Sequence, residues 1–470
     1  MALAQIHVLD PGAVKYGDCI LCNVGGKWIL VDAAQSSSDR PSTSTVLGEQ
    51  VAHRPLQEQI ASIVGGMHVD LLILTHCHSD HLGCLPELIA DHGLTFDWAL
   101  TADRKLGFGL AADDDLPPPD AMSDAQKLTL ALREEPLLDA SDGEILAFIA
   151  DAAGEYERYR VLDQTLADRL GTQHVIYRGP TEAESPGLEA LLAEFADSAL
   201  RVLGPSQEQL LFCAASLATD AAGVPDAVAD ADGDLVAAYR ALTRVPLADV
   251  EADDVDGRNG AAVNSQSIVF ALGADNKNFL FTGDMQFARS SLGADVNAEM
   301  AELLHMVANN EPYYFAKLSH HGATNGQNED LMRSWGARRM VISTGSRSGQ
   351  HPTSATLKAL ENLRPTFQWA RTDINGICTY ELSDAGRSKL TVERNGLNDT
   401  TLPSDRADGP APQESAAPAV AARVERASED EVEVIVRLPY RRGRVTVTVE
   451  VEPGADATTR VSGGPESPLD

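Results

Sequence analysis

A mixed α/β fold, with sheets covered by helices, is predicted by two observations. Short apolar or β-branched runs alternate with segments of helical spacing in both halves of the 470-residue chain. Several of those runs end on His or Asp, where a buried strand would deliver polar side chains to one edge of a sheet.

Taken in order, QIHVLD, GDCILCNV and KWILVDA read as three strands. PLQEQIASIV has helical spacing, VDLLILTH is a buried strand running into histidines, and HLGCLPELIADHG reads as a helix closed by a glycine. Residues 101–200 change character: rich in Ala, Leu and Asp, they read as an acidic, mainly helical insertion with loops. From about residue 201 strands return in LRVLGP, SQSIVFAL, NKNFLFTGD, YYFAKLSHHG, RRMVISTG and ICTYELS, with helices over NAEMAELLHMV and TSATLKALENL. These segments assign residues 1–400 to one domain. Residues 401–424, rich in Pro, Ala and Ser, read as a linker. Residues 425–470 read as a C-terminal β-hairpin extension about a polar RRG turn, followed by a tail.

Composition narrows the class. The hydrophobic share of 43% and charged share of 23% are those of a globular protein. The N-terminus lacks a basic region followed by an apolar one, and no apolar run is read as spanning a bilayer, so the expectation is a cytoplasmic protein without a membrane partner. Six cysteines in this length do not make a disulfide framework. Cys19 and Cys22 form a lone CxxC on an apparent strand, better read as buried thiols than as ligands. The net charge is −33, and residues 101–260 hold 32 acidic and 12 basic residues, a difference of −20. Such a surface repels anionic polymers at long range, and RRGR at 441–444 is the only dense basic cluster.

The chemistry concentrates in LTHCHSDHLG. His76, His78, Asp80 and His81 form HxHxDH between an apolar strand and a helix. Imidazole nitrogens and carboxylate oxygens are the donors that borderline divalent metals take. His76 and His78 could share one ion, with Asp80 and His81 on a second. Asp284, after the strand of FLFTGDM, could bridge both ions, one through each carboxylate oxygen. His320 and His321 follow another strand. Adjacent side chains on extended backbone point apart, so one of them ligates directly; His320 is the expected ligand and His321 the outer or substrate-facing group. Asp80, His321, Lys317 and His351 are the candidates for catalysis, the last three for handling the leaving group. His351 reads equally as a loop residue before a helix, and Arg371 with Asp373 as an ion pair or simply a turn.

HxHxDH, a later TGD and a later HHG resemble the metallo-β-lactamase superfamily, which implies a four-layer αββα sandwich with metals at one sheet edge. The order of GDCILCNVGGKWILVDAA, LLILTHCHSDHLGCLPEL, RVLGP, NSQSIVF, FLFTGDM, KLSHHGATNG, GQHP and RTDINGICTYEL resembles the ComEC/Rec2 competence-protein hydrolase domain across most of residues 5–100 and 200–385. That resemblance implies two divalent ions, Zn²⁺ or Mn²⁺, and cleavage of a phosphodiester substrate, DNA above all. It also implies that Asp32 is a structural carboxylate beside the site. The chain departs from that family in three ways. Its membrane-channel segments are missing, the stretch after HxHxDH is longer and acidic, and the third histidine of the first metal has no clear counterpart. His174 is a weak candidate for it.

The leading expectation is therefore a two-metal phosphodiesterase or nuclease. The alternatives are a hydrolase of a small nucleotide signal, ester, lactone or thioester, and an effector gated by a protein partner at the C-terminal hairpin. A metal-free scaffold is the non-enzymatic reading.

Overall fold

The computed structural model describes residues 2–102, 116–134, 141–171, 173–178, 187–243, 258–288, 292, 294–310 and 312–403, and strands at 421–426, 431–437 and 445–450. The chain divides into two units, Met1–Arg406 and Ala407–Asp470.

The first unit is built on two sheets. In chain order its strands are β1 (Ala2–Val8), β2 (Ile20–Val24), β3 (Lys27–Val31), β4 (Ser42–Val46), β5 (Glu49–His53), β6 (His68–Leu74), β7 (Thr95–Ala102), β8 (Val175–Arg178) and β9 (Arg201–Gly204). There follow β10 (Val269–Ala274), β11 (Lys277–Phe281), β12 (Tyr313–Lys317), β13 (Arg339–Ile342), β14 (Gln368–Arg371), β15 (Cys378–Ser383) and β16 (Ser388–Val392). Eight strands run in the order β16-β15-β1-β2-β3-β6-β7-β8 and six in the order β14-β13-β12-β11-β10-β9. One core lies between the sheets, with Ile6, Val8, Ile73, Phe270, Phe281, Phe315 and Tyr380 in it. Helices cover each outer face through a core of their own. This is the four-layer αββα sandwich.

Burial on both faces explains the strand sequences. In β6, Leu71 and Ile73 enter the inter-sheet core while Val69, Leu72 and Leu74 enter the outer one, so the run is apolar throughout. Cys19 and Cys22 fall in different cores, outer and inner respectively, so the pair cannot share an ion. Burial pushes both thiols up.

Several expectations are corrected. The helix expected over HLGCLPELIADHG is two short ones, Ser79–Leu82 and Leu85–Ala90. The break falls where Gly83 packs so tightly that a Cβ would stand 2.3 Å from the Ser79 carbonyl and 2.6 Å from the Ser36 nitrogen. The β4–β5 hairpin had no clear signal, its strands being mainly polar and buried only at Val46 and His53. His53 at its end is nevertheless buried, between Asp10 at 2.8 Å and Ser44 at 2.7 Å. The region at 101–200 is not a clean insertion either. β8 lies within it and extends the eight-stranded sheet, and helices continue beyond it at Gln207–Asp230, Leu235–Thr243 and Arg258–Asn264. Its parts at 103–115, 135–140, 172 and 179–186 lie outside the described residues. Among the described residues one helix, Gln207–Asp230, is long and apolar enough by composition to cross a membrane, a test that core helices also pass.

In the second unit, β17 (Ala421–Arg426), β18 (Glu431–Arg437) and β19 (Val445–Glu450) form an antiparallel sheet. β18 and β19 match the expected hairpin runs. The third strand takes residues 421–424 from the expected linker, AARV continuing into ER and pairing with β18. The remaining linker from 404, the RRGR cluster and the tail at 451–470 lie outside the described residues.

Candidate metal centre

Strand ends of both sheets converge on one point. β6 ends at Leu74, and the next residues carry Thr75, His76, His78, Asp80 and His81. β3 is followed by Asp32, β11 by Asp284, and β12 by His320 and His321. Each is buried or nearly so.

One donor atom each from Asp80, His81, Asp284 and His321 lie within 4.8 Å of one another. His81 Nε2 is 3.2 Å from Asp284 Oδ2, and His321 Nε2 is 3.1 Å from the same oxygen and 2.8 Å from Asp80 Oδ2. Both Nε2 atoms are buried and make no hydrogen bond of acceptable geometry. Imidazole and carboxylate donors gathered this closely in a buried place are a group that could hold a cation. Beside this group, His76 Nε2 and His78 Nδ1 stand 3.1 Å apart, and the His76 and His81 rings are 4.1 Å apart.

The opposite nitrogen of every one of these histidines is engaged by the protein. His76 Nδ1 meets the hydroxyls of Thr75 at 3.1 Å and Ser267 at 3.2 Å. His78 Nε2 donates to the Arg133 carbonyl at 2.6 Å, and His321 Nδ1 to the Ser343 carbonyl at 2.8 Å. His81 Nδ1 donates to Asp32 at 2.8 Å, while Asp32 also accepts from the Thr75 amide and hydroxyl at 2.8 and 2.7 Å. Carbonyl and carboxylate acceptors fix the proton on the outer nitrogen and leave a lone pair facing inward, the arrangement of metal-ligating imidazoles. The donor set of Asp80, His81, Asp284 and His321 therefore fits a divalent ion, and His76 and His78 stand beside it.

The electrostatics are those of the metal-free cluster, in which an ion would have to displace protons from His81 and His321. Burial, with His81 and His78 close by, holds His76 well below the usual imidazole range despite Asp284. His81 and His321 are driven the other way: burial opposes their charge, but Asp284 and the neighbouring carboxylates outweigh it. Burial likewise opposes ionisation of Asp284, and His321, His81 and Lys317 overcome it.

The structure alters three sequence expectations here. His321, not His320, joins the carboxylates. Residues 320–322 make a tight turn in which both histidines have left-handed φ, 49° and 50°, so the alternation of an extended segment does not apply. His320 turns instead to Asn325 Oδ1 at 2.8 Å and Asn264 Nδ2 at 3.2 Å. The two Asp284 oxygens, expected to serve one ion each, face different groups: Oδ2 faces His81 and His321, and Oδ1 is 3.3 Å from Lys317 Nζ. Lys317 is wholly buried, paired with Asp18 and hydrogen-bonded to the Gly283 carbonyl at 3.0 Å, so it is a counter-ion to carboxylates and not a donor to a leaving group.

His174 is set apart from the cluster. It precedes β8, whereas the site gathers at the opposite ends of the parallel strands, and its ring stacks near Trp98 at 4.2 Å. Arg371 and Asp373 form a buried bidentate ion pair at 2.9 and 2.7 Å and also open the turn Thr372–Asn375. His351 lies 5.2 Å from the Tyr16 ring, and Tyr16 stacks on His321 at 5.4 Å.

Sequence reasoning missed Tyr16, Asp18, Arg133 and Glu134. Asp18 had a signal: it sits in GDC against a buried strand, as Asp284 sits in TGD. Arg133 and Glu134 had none, because the helix Asp124–Ala131 delivers them from a distant stretch.

Residues 12–96 match the family model described as the Metallo-beta-lactamase superfamily. No curated protein matches the chain. The matched segment holds HxHxDH and Asp32 and points to a metal-dependent hydrolase; Asp284 and His321 lie beyond it.

Proposed function

We propose that this metallo-β-lactamase-fold chain is a two-metal phosphodiesterase acting on nucleic acid. The observation that carries the reading is the gathering of His81 and His321 with Asp80 and Asp284, with His76 and His78 beside them and a carbonyl or carboxylate holding the outer nitrogen of His78, His81 and His321. The resemblance of the motif order to the ComEC/Rec2 hydrolase domain supports phosphodiesters as the substrate class.

His76 and His78 would hold one ion, and Asp80, His81 and His321 the other, with Asp284 among the ligands. When bound, such a pair of ions lowers the pKa of a water and offsets charge on the phosphoryl oxygens. The protein's own groups do the rest. Asp32 keeps the His81 proton on Nδ1, and Lys317 holds Asp284 Oδ1 away from the centre so that Oδ2 faces it. His351, beside Tyr16 at the wall next to His321, is the candidate to protonate the leaving oxygen.

One observation favours a second substrate. The charge of −33 and the difference of −20 over residues 101–260 disfavour long duplexes and favour a short oligonucleotide or nucleotide signal.

The test is the chain purified without chelator, assayed for bound metal and for cleavage of single- and double-stranded DNA, RNA and bis-(p-nitrophenyl) phosphate with Mn²⁺ or Zn²⁺. Cleavage that disappears in His76→Ala, His78→Ala and Asp80→Ala supports the reading. Two bound ions with no cleavage of any phosphodiester overturn it, and move the search to small esters or to a protein partner.

A further inference from the structure

The HxHxDH loop is held from outside the matched family segment. The helix Asp124–Ala131 ends beside it, and two consecutive residues there contact two consecutive residues of the loop. The Arg133 carbonyl takes the His78 Nε2 proton at 2.6 Å. The Glu134 carboxylate accepts from the Ser79 hydroxyl at 3.1 Å and lies 3.5 Å from its amide nitrogen. Arg133 is 3% exposed, so this is a packed junction. A second anchor comes from the long helix Asp142–Leu170, where Arg158 reaches the Gly83 carbonyl and Glu87 just past the loop.

The first of these contacts bears on metal binding. A neutral imidazole carries one proton, on either nitrogen. For His78 to offer Nδ1 beside His76 Nε2, the proton must sit on Nε2, and a carbonyl at 2.6 Å accepts only that tautomer. Docking of residues 133–134 therefore selects the ligating form of His78. Binding free energies are reciprocal between linked sites, so an ion on His76 and His78 must in turn favour docking.

We propose that the end of the Asp124–Ala131 helix is a clamp on the first metal position: Arg133 and Glu134 act as positioning residues for His78 and Ser79, and docking of this acidic region is thermodynamically linked to metal occupancy. This rests on the two-metal reading. It gives the region after HxHxDH a role at the centre. Outer partners of metal-bound histidines contribute about 10- to 100-fold to metal affinity, which sets the scale of the linkage.

The test uses the full chain, stripped with chelator and titrated with Zn²⁺. Hydrogen exchange should slow across residues 124–134 when Zn²⁺ is added. Glu134→Ala should keep the thermal unfolding temperature of the metal-free chain yet bind one of its two Zn²⁺ ions more weakly, by up to about 10-fold, the lower end of the effect of a direct outer partner, with exchange at 124–134 responding less to Zn²⁺. Exchange over 124–134 that ignores Zn²⁺ while titration shows both ions binding overturns the clamp alone. So does a Glu134→Ala chain that folds and binds both ions with unchanged affinity. A chain that binds no Zn²⁺ overturns the metal reading itself, and the clamp with it.

Discussion

His320 and His321 are adjacent and chemically identical, and only backbone conformation separates their roles. The left-handed turn sends His321 Nε2 to within 2.8 Å of Asp80 and leaves His320 with two asparagines. His321→Ala should therefore lose one bound metal equivalent and at least about 100-fold of any hydrolysis, more than the loss of an outer-shell partner. His320→Ala should keep its full metal content, as elemental analysis of both proteins would show. Lys317 offers a second prediction. Its ammonium, wholly buried, stands between Asp18 and Asp284. Burial opposes that charge, but the two aspartates hold it. Lys317→Met would strand both carboxylates in the interior of the metal-free chain, at a cost of about 3–5 kcal/mol. Urea unfolding of the stripped protein would measure it.

At the scale of elements, the long helix Asp142–Leu170 shows how the acidic surface enters the core. It starts with a capping box in which Ser141 and Glu144 satisfy each other's backbone amides. Further along, its inner face buries Ile145, Ile149, Tyr156, Tyr159 and Leu162, and with them Glu155. Burial pushes the Glu155 carboxyl up to about 8, against the pull of Arg158 and with the help of Asp151, Glu134 and Glu87. The folded protein thus prefers the protonated form, whereas the unfolded chain releases the proton near 4.5. Stability from this group is greatest below that value, falls as pH rises through the window between 4.5 and about 8, and is lost above it. Glu155→Gln should flatten the decline and stabilise the protein at pH 9 by no more than about 5 kcal/mol, read from denaturant midpoints at pH 5, 7 and 9.

At the scale of the whole molecule, the metal centre belongs entirely to Met1–Arg406, and β17–β19 form a sheet within Ala407–Asp470. A chain ending at Arg406 should keep its metal content and cleave a small phosphodiester within about twofold of the full-length rate, since every group near the centre remains. A large loss would instead make the second unit a requirement for turnover, as the partner-gated alternative expects. The sandwich also explains why charge is distributed as it is. Its inter-sheet layer is lined by apolar strands, so among the described residues the acidic side chains lie largely outside that layer.

The sequence by itself determined most strands of both sheets, though not β7, β8, β14 or β16, because a strand buried on two faces must be apolar along its length, as VDLLIL and NFLF are. It also determined the nucleus of the centre, since His76, His78, Asp80 and His81 lie within six residues on one strand-end loop. Tertiary structure alone decided the rest. The choice of His321 over His320 follows from two φ angles, which spacing does not encode. The β4–β5 hairpin is polar outside and is tied down mainly by His53, so neither propensity nor periodicity announces it. Asp18, Lys317, Arg133 and Glu134 reach the centre from segments as far apart as residues 18 and 317. Their roles come from contacts between distant elements, and such contacts exist only once both sheets and the helices on them have packed.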